Sequence, residues 1–128
     1  MATDSVSLVT EYIDAIGSKR WEQLLPLLQP DVSFGGPNIK PLTGSQEYVT
    51  ALQRLGQILA RNEIKQILVT GDEAVVVYDF VTDTPVGAVP SVEWLTLRDG
   101  RIQSSRLIFE RQRWPEVMQA LQARLAQN

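Results

Sequence analysis

Glu93 raises the sharpest chemical question in this chain. In the stretch 91–109, SVEWLTLRDGRIQSSRLIF, it alternates with Leu95 and Leu97 and so shares a strand face whose other members are apolar. An unpartnered carboxylate on such a face is costly and drives the group toward neutrality or toward a partner. As a neutral acid Glu93 could donate a hydrogen bond to a carbonyl or phenolic oxygen. Otherwise it belongs to a rim, or is satisfied by a tyrosine or by Arg106 at an interface. Tyr12 and Tyr78 are the groups able to meet it. Tyr12 sits beside Val9 and Ile16 on a helical stripe, and Tyr78 shares a strand face with Val76, Phe80 and Thr82. A buried tyrosine hydroxyl seeks a partner. Three polar groups converging in an apolar cavity have the make-up of a small-molecule site; the same three can also satisfy one another and bind nothing.

The chain has no histidine and no cysteine. Thiolate chemistry, disulfides and cysteine-ligated zinc are excluded, and so is the commonest general base near neutral pH. Proton transfer would fall to carboxylates, tyrosines, lysines or water. No metal and no cofactor is expected. A net charge of −3 argues against nucleic acid as a partner. No apolar run approaches the roughly 20 residues that span a bilayer, so no membrane partner is expected. The opening MATDSVSLV lacks the basic and apolar segments of a secretory signal, which leaves the cytoplasm as the expected location. Asp79 falls on the face opposite Tyr78 and reads as a solvent or dimer residue. Asp31 reads as a turn or capping residue, and Arg111 with Arg113 as a solvated pair.

The elements that must position these groups follow from periodicity. Val6, Val9, Ile13 and Ile16 predict a helix over 4–16, with Gly17 after its end. Ser18 is the expected cap of a short second helix carrying Trp21, Leu24 and Leu25, which Pro26 ends. An extended piece, 32–34, precedes a loop from Gly35 through Pro37 to Gly44. Ser45 is the expected cap of a third helix, with Glu47 in its first turn and Tyr48, Leu52, Leu55 and Leu59 along one face. Strands are predicted over 64–70 and 74–83, with a turn at Gly71-Asp72 and a loop over 83–90. Asp99-Gly100 fits the type I′ turn of the β-hairpin that follows. Pro115 suits the first turn of a last helix bearing Val117, Leu121 and Leu125. Segregated helices and strands over 1–128 predict one α+β domain, with a single curved sheet, helices on one face and a cavity between them.

Three segments carry a resemblance: 12–31 (YIDAIGSKRWEQLLPLLQPD), 41–44 (PLTG), and 93–109 ending in RLIF. Their order along the chain resembles the nuclear transport factor 2-like superfamily, in particular its SnoaL-like polyketide cyclase and ketosteroid isomerase-like branch. The resemblance implies a cone-shaped α+β barrel. A curved antiparallel sheet would carry three N-terminal helices on one face and a short C-terminal helix. It also implies a deep pocket and, often, a homodimer. Members include isomerases, cyclases, dehydratases, epoxide hydrolases and carriers without chemistry. Carried over, Tyr12 falls where ketosteroid isomerases place a tyrosine that donates to the substrate oxygen, and Glu93 where they place a protonated aspartic acid. Their catalytic base falls at or near Gly36, which has no side chain. For limonene epoxide hydrolase-like chemistry Asp79 matches one acid, but Val77 stands in place of the arginine and Leu107 in place of the second acid. Scytalone dehydratase-like chemistry uses histidines.

Tyr12 and Glu93 are therefore the candidate catalytic pair. Phe34, Leu52, Leu55, Val76, Tyr78, Phe80, Leu95, Ser105, Leu107 and Phe109 are the candidate pocket residues. Trp94 lies on the other sheet face with Val92 and marks a homodimer surface; Trp21 and Trp114 read as packing residues near the pocket mouth. Three functions stay open: a carrier of a small, apolar or polycyclic molecule; a cyclase or isomerase using Glu93 as acid or base with Tyr12 steadying an oxyanion; and a structural dimer whose cavity its own side chains fill.

Overall fold

The computed structural model describes residues 4–36, 39–109 and 114–127; for Ile39, Phe109 and Trp114 it describes the backbone alone. Helix α1, Ser5–Gly17, begins at Asp4, whose carboxylate accepts from the Val6 amide at 3.0 Å. Leu8, Val9, Tyr12, Ile13, Ala15 and Ile16 are its buried residues. Val6, expected on that stripe, is exposed; six residues of helical rotation place it about 120° from Tyr12, off the buried face. Gly17 is the last helical residue, and a Cβ there would stand 2.8 Å from the Asn62 backbone nitrogen. Close approach of α1 to a strand, and not a positive φ, is what requires glycine.

Helix α2, Trp21–Leu24, runs into a 3₁₀ turn, Leu25–Leu27, that contains Pro26. Ser18 does not cap it: Ser18 closes α1, its amide donating to Asp14 O, while Arg20 precedes α2 without a side-chain cap. Strand β1, Leu28–Gly36, is longer than predicted and includes Asp31, which is an exposed strand residue accepting from Gln103 at 3.3 Å and caps nothing. The expected loop contains a further strand, β2, Ile39–Thr43. Pro41 is tolerated there because β2 is a sheet edge. Pro37 lies outside the described residues. Gly44, at φ 108°, turns the chain into α3, Ser45–Leu55, so Ser45 is a helical residue and supplies no side-chain cap. Leu59, expected on the α3 stripe, belongs to the next strand because the helix stops at Gly56.

Strands β3 (Leu59–Thr70), β4 (Glu73–Thr82), β5 (Ala88–Arg98) and β6 (Arg101–Phe109) form the predicted antiparallel meander. Asp99 and Gly100 both have positive φ, 52° and 75°, as a type I′ turn demands. The sheet order is β2-β1-β6-β5-β4-β3. The β1–β6 pair is parallel, so the sheet is mixed, not wholly antiparallel. It is curved and unclosed, with β2 and β3 as free edges. Its concave face and α1 share one core that includes Val9, Tyr12, Ile13, Leu28, Val76 and Leu95. Helix α4, Trp114–Gln127, packs Val117 and Leu121 against Ile58 and Val89 in a second, smaller cluster. Arg124 fastens its far end, donating to Gln57 O at 2.6 Å and to both Asp83 carboxylate oxygens at 2.8 and 3.2 Å. That contact lowers the Asp83 carboxyl below its usual range and raises the guanidinium.

Candidate functional site

Alternation along β5 buries Val89, Ser91, Glu93, Leu95 and Leu97 while Trp94 points outward. Glu93 is 3% exposed. The β-ladder sets it opposite Val76 on β4 and Leu107 on β6, which brings Tyr78 and Ser105, one strand position pair away, onto the same face. Its Oε1 accepts from the Tyr12 hydroxyl at 2.8 Å and from Ser105 Oγ at 2.6 Å; its Oε2 accepts from the Tyr78 hydroxyl at 2.6 Å. The Tyr12 hydroxyl also bonds that of Tyr48, on α3. Tyr48 in turn stacks on Phe34 of β1, with ring centroids 4.7 Å apart. All four hydroxyl-bearing partners are buried. Among the described residues, those bonded to Glu93 are neutral hydroxyls, with no lysine or arginine among them.

Burial, and then the nearby negative charge of Glu93, push the phenols of Tyr12, Tyr48 and Tyr78 well above their ordinary range. They stay protonated, and act as donors, at any ordinary pH.

Beside this cluster is a chamber of about 50 Å³. Its polar lining consists of Tyr48, Asn62, Tyr78, Ser91 and Glu93; Phe34, Leu52, Leu55, Phe80 and Leu107 are among its apolar walls. A groove of about 200 Å³ continues from it between α3, α4 and the β1–β2 end of the sheet. Phe34, Tyr48, Leu52, Leu55 and Leu107 line both. The chamber has room for a head group or a few waters, against the roughly 300–1,000 Å³ of pockets that enclose a drug-sized molecule.

Of the residues expected at a site, Glu93, Tyr78, Phe80, Phe34, Leu52, Leu55 and Leu107 line the chamber. Tyr12, Val76, Leu95 and Ser105 do not; they are buried in the core behind it. The Phe109 and Trp114 side chains, Arg111 and Arg113 lie outside the described residues. Gly36 ends β1 and offers no side chain. Asp79 is on the outer sheet face, 3.7 Å from Lys65 Nζ. Trp21 packs on the core, against Gly56.

Three polar lining residues escaped the sequence: Tyr48, Asn62 and Ser91. Tyr48 reads there as one more apolar position on a helix stripe. Asn62 lies in the polar run Arg61-Asn62-Glu63, ahead of the predicted strand start, and a β-bulge between Ile64 and Gln66 breaks the alternation that would have placed it inward. Its Nδ2 donates to Ile13 O at 3.2 Å, and its buried Oδ1 has no partner. Among the described residues no group of acidic side chains is placed to hold a metal ion, and no helix is long and apolar enough to cross a membrane.

Comparison with known proteins adds the family. No curated protein matches the chain. Among solved structures, a candidate ketosteroid isomerase from Kribbella flavida is 21% identical, with TM-score 0.73 over 81% of this chain and 76% of that one. A candidate SnoaL-like polyketide cyclase from Shewanella putrefaciens is 17% identical, with TM-score 0.74 over 93% and 88%. A nuclear transport factor 2-like protein of unknown function from Cytophaga hutchinsonii is 18% identical, with TM-score 0.76 over 91% and 96%. At these identities the likeness is one of fold. The SnoaL-like domain model matches residues 9–105, from the core of α1 to the Ser105 that bonds Glu93, and the chain therefore belongs to the SnoaL-like family of the nuclear transport factor 2-like superfamily.

Proposed function

We propose that this SnoaL-like protein is a binding protein for a compact, mostly apolar small molecule. The observation that carries this reading is the apolar chamber with one polar end, opening onto an apolar groove. The chamber's size favours a compact ligand over a polycyclic one. Its chemistry favours binding over turnover: no side chain stands at Gly36, and Tyr12, the expected oxyanion donor, lies behind the chamber with its hydroxyl directed at Glu93. The cyclase or isomerase reading needs Tyr12 to face a ligand.

The outer sheet face supports a homodimer. Leu68, Trp94 and Ile108 are 55%, 48% and 44% exposed there, around the half-buried Val75, Val77 and Val92. Paired register makes them one continuous patch. The cytoplasm is the proposed compartment.

A thermal-shift screen with compact apolar molecules tests the reading. A ligand at about one hundred times its Kd should stabilise the fold by about 2.7 kcal/mol. No shift across the panel, together with a raised Tm for Glu93→Leu, would replace binding by the filled-core reading.

A further inference from the structure

Resting on that binding reading, we infer that the ligand presents a hydrogen-bond donor, an O–H or an N–H, to the open side of Glu93. The direction of every proton in the cluster leads to this. Tyr12, Ser105 and Tyr78 each donate to the carboxylate. Because the single Tyr12 proton is directed at Glu93, the bond between Tyr12 and Tyr48 takes its proton from Tyr48. Three hydroxyl protons thus end on Glu93, and the fourth, from Tyr48, ends on the Tyr12 hydroxyl. Ser91 Oγ donates to Val89 O at 3.1 Å, and Asn62 directs its amide nitrogen at Ile13 O. Ser91 Oγ and Asn62 Nδ2 thus each have a backbone acceptor of their own, and acceptor oxygens remain.

The carboxylate itself is incompletely filled. It offers about four lone-pair sites, and three are taken, two of them on Oε1. The vacant site is on Oε2, whose one partner, Tyr78, lines the chamber, whereas the Oε1 partners Tyr12 and Ser105 do not. Asn62 Oδ1, buried and without a partner, is a second acceptor on a chamber-lining residue. A ketone or ether oxygen would meet these oxygens lone pair to lone pair. A hydroxyl or a protonated amine would complete them, and its apolar tail would extend past Phe34 and Leu107 into the groove.

Three probes with one tail length separate the possibilities: 1-hexanol, hexylammonium and 2-hexanone. Each is titrated against the protein, with binding located by the methyl chemical shifts of Leu52, Leu107 and Val117. The expected result is that the alcohol or the ammonium binds at least about tenfold more tightly than the ketone. Glu93→Gln, which places an amide donor in the cluster, should erase that preference. Alcohol binding alone identifies a hydroxyl site, and ammonium binding alone a charge-paired one; both uphold the donor inference. Ketone binding equal to or tighter than both others overturns it while leaving the binding reading intact. Absence of binding by all three, in the wild type and in a groove-widening Leu121→Ala variant, overturns both.

Discussion

The three tyrosines make the buried cluster readable by alkaline titration. Tyr12, Tyr48 and Tyr78 are all the tyrosines of the chain, and all are buried. Burial and the Glu93 charge raise each phenol in the folded state. In the unfolded chain each ionises near pH 10. The unfolded state then binds fewer protons than the folded one, so stability is complete below pH 10 and falls as the pH rises from there toward the folded-state values. Linkage sets the limit for each phenol: at most one proton's worth of slope, about 1.4 kcal/mol per pH unit. For three phenols the ceiling is about 4 kcal/mol per pH unit, steep against the whole stability of an ordinary domain, about 5–15 kcal/mol. Urea unfolding measured at stepped pH should show stability falling above about pH 10, no more steeply than that ceiling, and less steeply in Tyr78→Phe. Tyrosinate absorbance should stay silent until circular dichroism reports unfolding, and then rise in one cooperative step. A reversible rise centred near pH 10 with native circular dichroism would mean that at least one phenol is free of the cluster, and the geometry around Glu93 would be wrong.

Two further perturbations probe the scaffold. Gly17→Ala should destabilise by about 1–2 kcal/mol in urea unfolding, because overpacking against the Asn62 backbone nitrogen outweighs the helix propensity gained; a neutral or stabilised variant would remove close approach as the reason for glycine. Trp94→Glu should convert the proposed homodimer to a monomer by light scattering, through an unpaired charge placed in the outer apolar patch; an unchanged dimeric mass would exclude that face as the interface.

The meander and its inward residues were legible because their signals are local. The Asp-Gly turn fixes the β5–β6 register, and register fixes which side of the sheet Glu93 faces. What stayed hidden depends on distant contacts. Strand β2 sits in a Gly- and Pro-rich segment and exists by pairing with β1 as an edge, where Pro41 loses no bond that matters. The parallel β1–β6 pair joins segments some seventy residues apart, and no periodicity reports it. The α2 and α3 starts misled because Ser18 and Ser45 have the right chemistry for caps, while Arg20 and Gly44 hold the backbone positions where caps act. Tyr48 illustrates the limit for the site. Its ring is spaced as core, its hydroxyl as site, and only the fold says that both descriptions hold.

Stability alone does not call for Glu93. A polar cluster replaced on all sides by apolar groups of similar shape is often neutral or stabilising, and leucine and phenylalanines could fill this volume. A cluster selected only to close a core would be complete in itself, with each lone pair matched and no space left beside it. This one is complete on one side and open on the other. Oε1 takes two donors from residues of the packed interior; Oε2 takes one, from Tyr78, which lines the chamber together with Glu93 itself and with Asn62, whose buried Oδ1 has no partner. That asymmetry is what the proposed site for an incoming donor requires.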